Sequence, residues 1–364
     1  MSRYARHLSL KEIGPEGQRK IGGGRVLVVG AGGLGCPVLM YLAAAGVGHI
    51  GVVDNDVVSL SNLQRQVLFR ESDVCKNKAE AAVFHLRQLN STISLVAHPV
   101  KIDSSNALGL LLDYDLVIDC TDNFPTRYLL NDACVLSGKP CVYGAIHRFE
   151  GQVAVFNLTS GSANYRDLYP APPAPGTVPT CEEEGVLGVL PGLIGTMQAA
   201  EALKIITSTG VVLDGVLMMV DAWDNSQQRM KVRTTEPRPT IEKLIDYEAF
   251  CSLKGAEEKV KEISVQELAV WQKNGVDFQL VDVREAYEYD LVNIGGELMP
   301  MSQFQEFINL IEHDKPVVVH CHHGGRSASV IRMLQNRHDY RNLHNLKGGI
   351  HAWAMEIDND LPTY

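Results

Sequence analysis

Val26-Leu27-Val28-Val29-Gly30-Ala31-Gly32-Gly33-Leu34-Gly35, an apolar run to Ala45, and then Gly46-Val47-Gly48-His49-Ile50-Gly51-Val52-Val53-Asp54 form the stretch whose reading decides the fold. Four apolar residues with no polar break predict a buried strand, and the glycines after it predict a tight turn into a helix from about Leu34. A second strand then ends on a carboxylate. This is half of a nucleotide site in a doubly wound α/β fold. Gly30, Gly32 and Gly35 allow backbone to approach phosphate at a helix N-terminus, and Asp54 is spaced to accept ribose hydroxyls. Taken alone, the pattern favours a dinucleotide dehydrogenase; its surroundings change that reading.

The chain has 364 residues, enough for two cores. A formal net charge of −10 argues against nucleic acid as a partner, because phosphate binding needs a clustered excess of Lys and Arg. Residues 26–48 carry no charge, yet six glycines and Pro37 interrupt them, so a membrane span is not expected. The charged segment Met1 to Lys11 has no apolar signal core, which points to the cytoplasm. The eight cysteines include no Cys-x-x-Cys pair, so neither a zinc tetrathiolate nor a disulfide framework is expected.

Beyond Asp54, residues 55–66 are dense in hydrogen-bonding side chains and include Arg65. Lys76 to Gln88 has helical spacing and puts Lys78 in a first turn, where it opposes the helix dipole and gains nothing locally. Leu116 to Asp119 reads as a further strand leading to Cys120-Thr121-Asp122-Asn123. Asp122 is open to two readings there, a metal or phosphate-side carboxylate or a cap for the helix Phe124 to Leu136. Ser160 to Glu184 is proline-rich and loop-like, with Cys181 near its end beside Glu182-Glu183-Glu184. A thiol in a polar loop is not core packing, although the carboxylates disfavour its thiolate.

Pro- and charge-rich residues 236–260 are the expected linker between a first domain, 1–235, and a second, 261–364. In the second, a strand from Val317 delivers Cys321 into Cys321-His322-His323-Gly324-Gly325-Arg326-Ser327, with a helix expected from about Ala328. Loop N–H groups, the helix N-terminus and Arg326 all favour negative charge at sulfur. Protein tyrosine phosphatases use a similar turn with five residues between Cys and Arg; four stand here, a smaller cradle that suits a persulfide better than a phosphate ester.

Together with Asp282-Val283-Arg284-Glu285 and Lys347 to Trp353, this loop resembles a single-domain rhodanese over roughly residues 260–364. The resemblance implies that Cys321 carries a transferable sulfane sulfur. Residues 3–235 resemble the MoeB/ThiF branch of ubiquitin-activating-type adenylyltransferases, through Gly30 to Gly35, Asp54, Ser61-Asn62-Leu63-Gln64-Arg65-Gln66, Lys78, Cys120 to Asn123 and Glu150-Gly151-Gln152. That likeness implies a Rossmann-like domain using ATP and Mg²⁺. Gly30, Gly32, Gly33, Asp54, Ser61, Gln66 and Asn123 would hold the nucleotide, Asn62, Arg65 and Lys78 the phosphates, and Asp122 the Mg²⁺. Arg6 would reach the partner's site in a homodimer.

The family's two Cys-x-x-Cys zinc pairs are missing, with Asn164-Tyr165-Arg166-Asp167 in place of the first, so no zinc is expected. Cys181 matches the family's crossover-loop cysteine, either holding an acyl group or reducing a mixed disulfide. The implied activity is adenylation of the C-terminal Gly-Gly of a small ubiquitin-like sulfur carrier, followed by sulfur transfer from Cys321, loaded by an upstream donor, to give a thiocarboxylate for molybdopterin, thiamin or related chemistry. A nicotinamide-dependent oxidoreductase would leave Arg65, Lys78 and the second domain unemployed; a nucleotide-binding sulfur relay without adenylation is the other alternative.

Overall fold

The computed structural model describes residues 3–173, 185–234, 238, 240–252, 260–338 and 340–362. The chain divides into two compact units, the second taking up the chain from Ser252. Among the described residues, no helix is long and apolar enough to cross a membrane.

In the first unit the strands are β1 (Arg25–Val29), β2 (His49–Val53), β3 (Ser94–His98), β4 (Leu116–Asp119), β5 (Cys141–His147), β6 (Glu150–Phe156), β7 (Val216–Asp221) and β8 (Gln227–Lys231). They form one sheet in the order β3-β2-β1-β4-β5-β6-β7-β8. From β3 to β5 the pairs are parallel, and β6, β7 and β8 extend the sheet antiparallel. Strand β1 lies at the centre because both its faces are apolar. Val26 and Val28 join the core under the helices Gly35–Ala45 and Leu190–Thr207, while Leu27 and Val29 join the opposite core with the helix Phe124–Ser137. Each such side chain contributes about 1.5–3 kcal/mol on full burial. The order reverses at β1, whose neighbours are β2 and β4, and this opens the crevice in which such sheets bind ligands.

Three expectations need correction. The polar lead segment from Arg3 to Gly22-Gly23-Gly24, whose bland reading from sequence is a solvated arm, is instead held to the fold. Tyr4 Oη accepts from Asn90 Nδ2 at 2.9 Å, and His7 Nδ1 pairs with Gln18 Oε1 at 2.8 Å, which pins the short helix Ala5–Leu8. Nor are residues 236–260 linker throughout: Tyr247 in the helix Tyr247–Ser252 is buried and donates to Asp132 Oδ2 at 2.7 Å, so this part belongs to the first core. The helix after Cys321 begins at Gly325 rather than Ala328, which moves Arg326 and Ser327 from the loop into its first turn.

The Asn164-Tyr165-Arg166-Asp167 segment and Arg238 meet through charge. Arg238 donates from Nη2 to Asp167 Oδ2 at 2.9 Å and to the Ser162 carbonyl at 3.0 Å, while Arg166 forks onto buried Asp132 at 2.8 and 2.7 Å. The Asp167 side chain is almost wholly buried, so removing its cation is costly. Arg238→Ala is expected to lower stability by about 1–3 kcal/mol, read as a fall in Tm of the first unfolding transition, with Arg238→Lys recovering only part. An unchanged Tm in the Ala variant would show that packing alone closes this corner.

The second unit contains β9 (Lys261–Ile263), β10 (Gln279–Asp282), β11 (Glu297–Leu298), β12 (Val317–His320) and β13 (Leu343–Leu346) in the order β11-β10-β12-β13-β9, parallel throughout. All four residues of β12 are buried, as a central parallel strand requires. Its carboxyl end presents Cys321.

Candidate functional site

The first site collects at the carboxyl ends of β1, β2 and β4. Gly30 has φ +95°, and a Cβ there would lie 2.7 Å from the Cys120 carbonyl; one on Gly35 would lie 2.0 Å from the Gly30 carbonyl. The turn therefore closes only without side chains, leaving open backbone at the start of the helix Gly35–Ala45, where an anion is favoured.

Asp54 faces this turn. Its Oδ2 accepts from Ala31 N at 2.8 Å and its Oδ1 from Asp56 N at 2.9 Å. Burial still pushes its carboxyl above the usual range, although those two N–H groups and the Lys78 charge pull the other way. A carboxylate held this way gains from further hydroxyl donors, which a ribose supplies. Gln66 is buried, its Oε1 has no hydrogen-bond partner, and its Nε2 lies 3.7 Å from where a Cβ of Gly32 would stand. An orphaned polar atom beside a glycine turn fits a polar ligand such as a nucleotide.

Cations line the same edge. Lys78 opens the helix Lys78–Leu89; it is buried apart from its contact with Asp56, Nζ to Oδ2 at 3.0 Å. Asp56 is exposed, which leaves the pair open to exchange partners. Arg65 is half-buried and spends Nη1 on the Ser61 carbonyl at 3.2 Å. Asn62 accepts from Ser59 N and shapes the turn that carries Arg65, while Ser61 is exposed beside it. Gly33 sits under Arg65, a Cβ there falling 3.5 Å from its Cγ.

Asn123, not Asp122, caps the helix Phe124–Ser137 by accepting from Thr126 N at 3.0 Å. That leaves Asp122 exposed at the end of β4 and removes the capping reading of it, while Asn123 has its oxygen engaged. Arg6 is exposed on its anchored helix. Cys181 lies outside the described residues.

Sequence reasoning overlooked Arg127. Its Nη2 donates to the Thr121 carbonyl at 3.0 Å, its guanidinium lies 5.6 Å from the Tyr143 ring centre, and its Nε is buried without a hydrogen-bond partner. Four residues past Asn123 on a helix, it returns to the same face, which was the available signal. Beside it Asp119 is buried, and burial raises its carboxyl despite the Arg127 charge and two hydrogen bonds from Thr121.

The second site centres on Cys321. Its Sγ accepts from Gly324 N at 3.1 Å and lies 3.4 Å from Ser327 Oγ, and Gly324 holds φ +96° to aim its N–H inward. Ser327 is set by Asn345 Oδ1 at 2.6 Å. Arg326 departs from expectation: both Nη atoms fork onto Glu288 at 2.6 Å, so the carboxylate offsets much of the charge that sulfur was expected to feel. The groups that face the sulfur with positive charge are instead the Gly324 N–H and the N-terminus of the helix Gly325–His338. Ser327 stood in the quoted motif, but its role could not be read without the helix start.

Below this loop Arg284 and Asp282 form a wholly buried pair, with Nη2 to Oδ2 at 2.6 Å. Behind it, burial drives His320 down to about 4, the Arg284 charge adding to this and Asp282 opposing it. A histidine normally near 6.5 thus stays neutral in the fold. Its contribution to stability is complete above pH 6.5 and is lost as the pH falls through about 4, a change of order 3 kcal/mol. The second unfolding transition should therefore lose Tm over that acid range, and His320→Asn should flatten the loss; equal pH slopes in the two proteins would contradict this.

Residues 4–242 match the ThiF family, and residues 264–356 match the rhodanese-like domain. The chain belongs to the ThiF family. It is 43% identical to adenylyltransferase/sulfurtransferase MoeZ of Mycobacterium tuberculosis, over 100% of this chain and 95% of that protein. To adenylyltransferase and sulfurtransferase MOCS3 of Anopheles gambiae it is 41% identical, over 100% of this chain and 89% of that one. The sulfur carrier protein adenylyltransferase of Thermus thermophilus is 51% identical over 70% of this chain and 97% of its own length. Among solved structures, E. coli MccB with ATP superposes with a TM-score of 0.57 at 21% identity, over 66% of this chain and 74% of that one, a likeness of fold. This ThiF-family chain is thus an enzyme of the adenylyltransferase/sulfurtransferase type, and the oxidoreductase reading falls away.

Proposed function

We propose that the first unit adenylates the C-terminal Gly-Gly of a small ubiquitin-like sulfur carrier, and that Cys321 then supplies the sulfur that converts it to a thiocarboxylate. The observation that carries this reading is the Cys321 sulfur, held by Gly324 N at the head of a helix, in a chain that also has Lys78 and Arg65 along the edge of a glycine turn.

In the first step the carrier carboxylate attacks the α-phosphorus of ATP and pyrophosphate leaves. Two anions must approach, so Arg65, Lys78 and Arg127 offset charge that peaks in the transition state. Asp54 and Gln66 orient the nucleoside, and the Gly30–Gly35 turn admits the phosphates. Exposed Asp122 is the carboxylate for Mg²⁺, which supplies further charge neutralisation when bound. Arg6, outward on its pinned helix, serves the partner's site in a homodimer.

In the second step Cys321 takes a sulfane sulfur from a donor, whose remainder leaves. The terminal persulfide sulfur attacks the acyl-adenylate and expels AMP, giving an acyl disulfide. A thiol must then break the sulfur–sulfur bond, releasing the thiocarboxylate and leaving a disulfide to Cys321 that an external thiol reductant reopens; Cys181 is the family-matched candidate for this attack, or for an earlier acyl relay. The setting is cytoplasmic, and the product feeds a molybdopterin, thiamin or related thiolating reaction.

The test is to incubate the protein with Gly-Gly carriers, ATP, Mg²⁺ and thiosulfate, and to weigh the carrier. A gain equal to replacing oxygen by sulfur supports the proposal. If every carrier keeps its mass while ATP still binds, the non-adenylating relay is the better description.

A further inference from the structure

Three imidazoles gather where the Cys321 loop meets the first turn of the last helix, Gly349–Glu356. The His322 and His323 rings stack with centres 4.0 Å apart, and His351 meets them at 5.7 and 4.8 Å. One ligand nitrogen from each falls within 4.8 Å of the others. His351 Nδ1 is buried with no hydrogen-bond partner. The backbone fixes the grouping: Ile350 N donates to the Cys321 carbonyl at 2.9 Å and His351 N to the His322 carbonyl at 3.0 Å.

The geometry points to a divalent transition-metal site of the Zn²⁺ class, made by His322, His323 and His351 beside the sulfur-carrying loop. This goes beyond the adenylation and sulfur-transfer reading. Three imidazoles with no carboxylate among them suit borderline metals such as Zn²⁺ and Co²⁺ and do not suit Mg²⁺ or Ca²⁺. A tetrahedral ion with Zn–N of about 2.0–2.1 Å needs nitrogens about 3.4 Å apart, a closure that ring rotations can supply, with the fourth position left for water. The nearby Arg326 charge, which would repel a cation, is forked onto Glu288. A bound ion would tie the Cys321 loop to residues 348–351 and slow sulfur transfer without touching adenylation.

Metal binding is measured on the full chain by competing Zn²⁺ against a chromophoric chelator, and ligand type is read from the absorption of the Co²⁺ form. One equivalent is expected, with cobalt bands free of thiolate charge transfer and binding retained in Cys321→Ser. His323→Ala, at an exposed position, and His351→Gln should each weaken binding at least about tenfold, since loss of supporting residues alone costs 10–100-fold. Zn²⁺ should inhibit sulfur transfer from thiosulfate in the wild type and lose that effect in His323→Ala. The inference is overturned by absence of Zn²⁺ uptake, by uptake equal in wild type and both histidine variants, or by a thiolate charge-transfer band. Because uptake needs no turnover, failure here is separate from failure of the carrier chemistry.

Discussion

Cys321→Ser is expected to lose sulfur transfer from thiosulfate to the uncatalysed background while keeping carrier adenylation at the wild-type rate. The serine oxygen has similar size and keeps the Gly324 and Ser327 contacts within reach, so the fold changes little. It cannot accept a sulfane sulfur to form a persulfide, so the loss is one of chemistry rather than packing. The sharper companion is Ser327→Ala, which removes the hydroxyl that Asn345 anchors beside the sulfur and leaves the thiol in place. Its transfer rate should fall about tenfold or more, with acceptor KM little changed. Transfer retained in Cys321→Ser would move the sulfur to another cysteine.

Lys78→Ala carries the second large effect. Adenylation should fall by about 10²–10³ in kcat, as for loss of one preorganised group facing transition-state charge, while sulfur transfer from thiosulfate persists. Stability should move by no more than about 1 kcal/mol, because the partner carboxylate, Asp56, is exposed and returns to water when the lysine is gone. Comparable losses are expected for Arg65→Ala, and Arg127→Ala should add a stability cost because that guanidinium packs against the Tyr143 and Phe124 rings. A Lys78→Ala enzyme adenylating within a factor of a few of wild type would leave the lysine with a structural role only.

Much of this was legible in the sequence because local rules agreed with the tertiary outcome. Leu116–Asp119 is a strand at the expected residues, and the glycine turn and Asp54 meet as their spacing required. Where reading failed, the deciding partners were distant or the pattern weak. Strand β8, Gln227–Lys231, is fully exposed at the sheet edge and has no apolar alternation to reveal it. Arg326 looked like a counter-ion for sulfur until Glu288, 38 positions earlier, claimed it. The Arg238 contact with Asp167 spans 71 positions, and no local pattern announces that an ion pair joins those segments. Ser327 and Arg127 were hidden for a related reason: each acts from a first helical turn whose start or facing direction the sequence left ambiguous by a few residues.

Carrier-dependent exchange of labelled pyrophosphate into ATP tests the central claim most directly, since it reports reversible acyl-adenylate formation and nothing that follows. The account predicts exchange that requires a carrier with an intact C-terminal Gly-Gly, persists in Cys321→Ser and collapses in Lys78→Ala. Exchange absent with every Gly-Gly carrier, although ATP binds and Cys321 still moves sulfur, would contradict it.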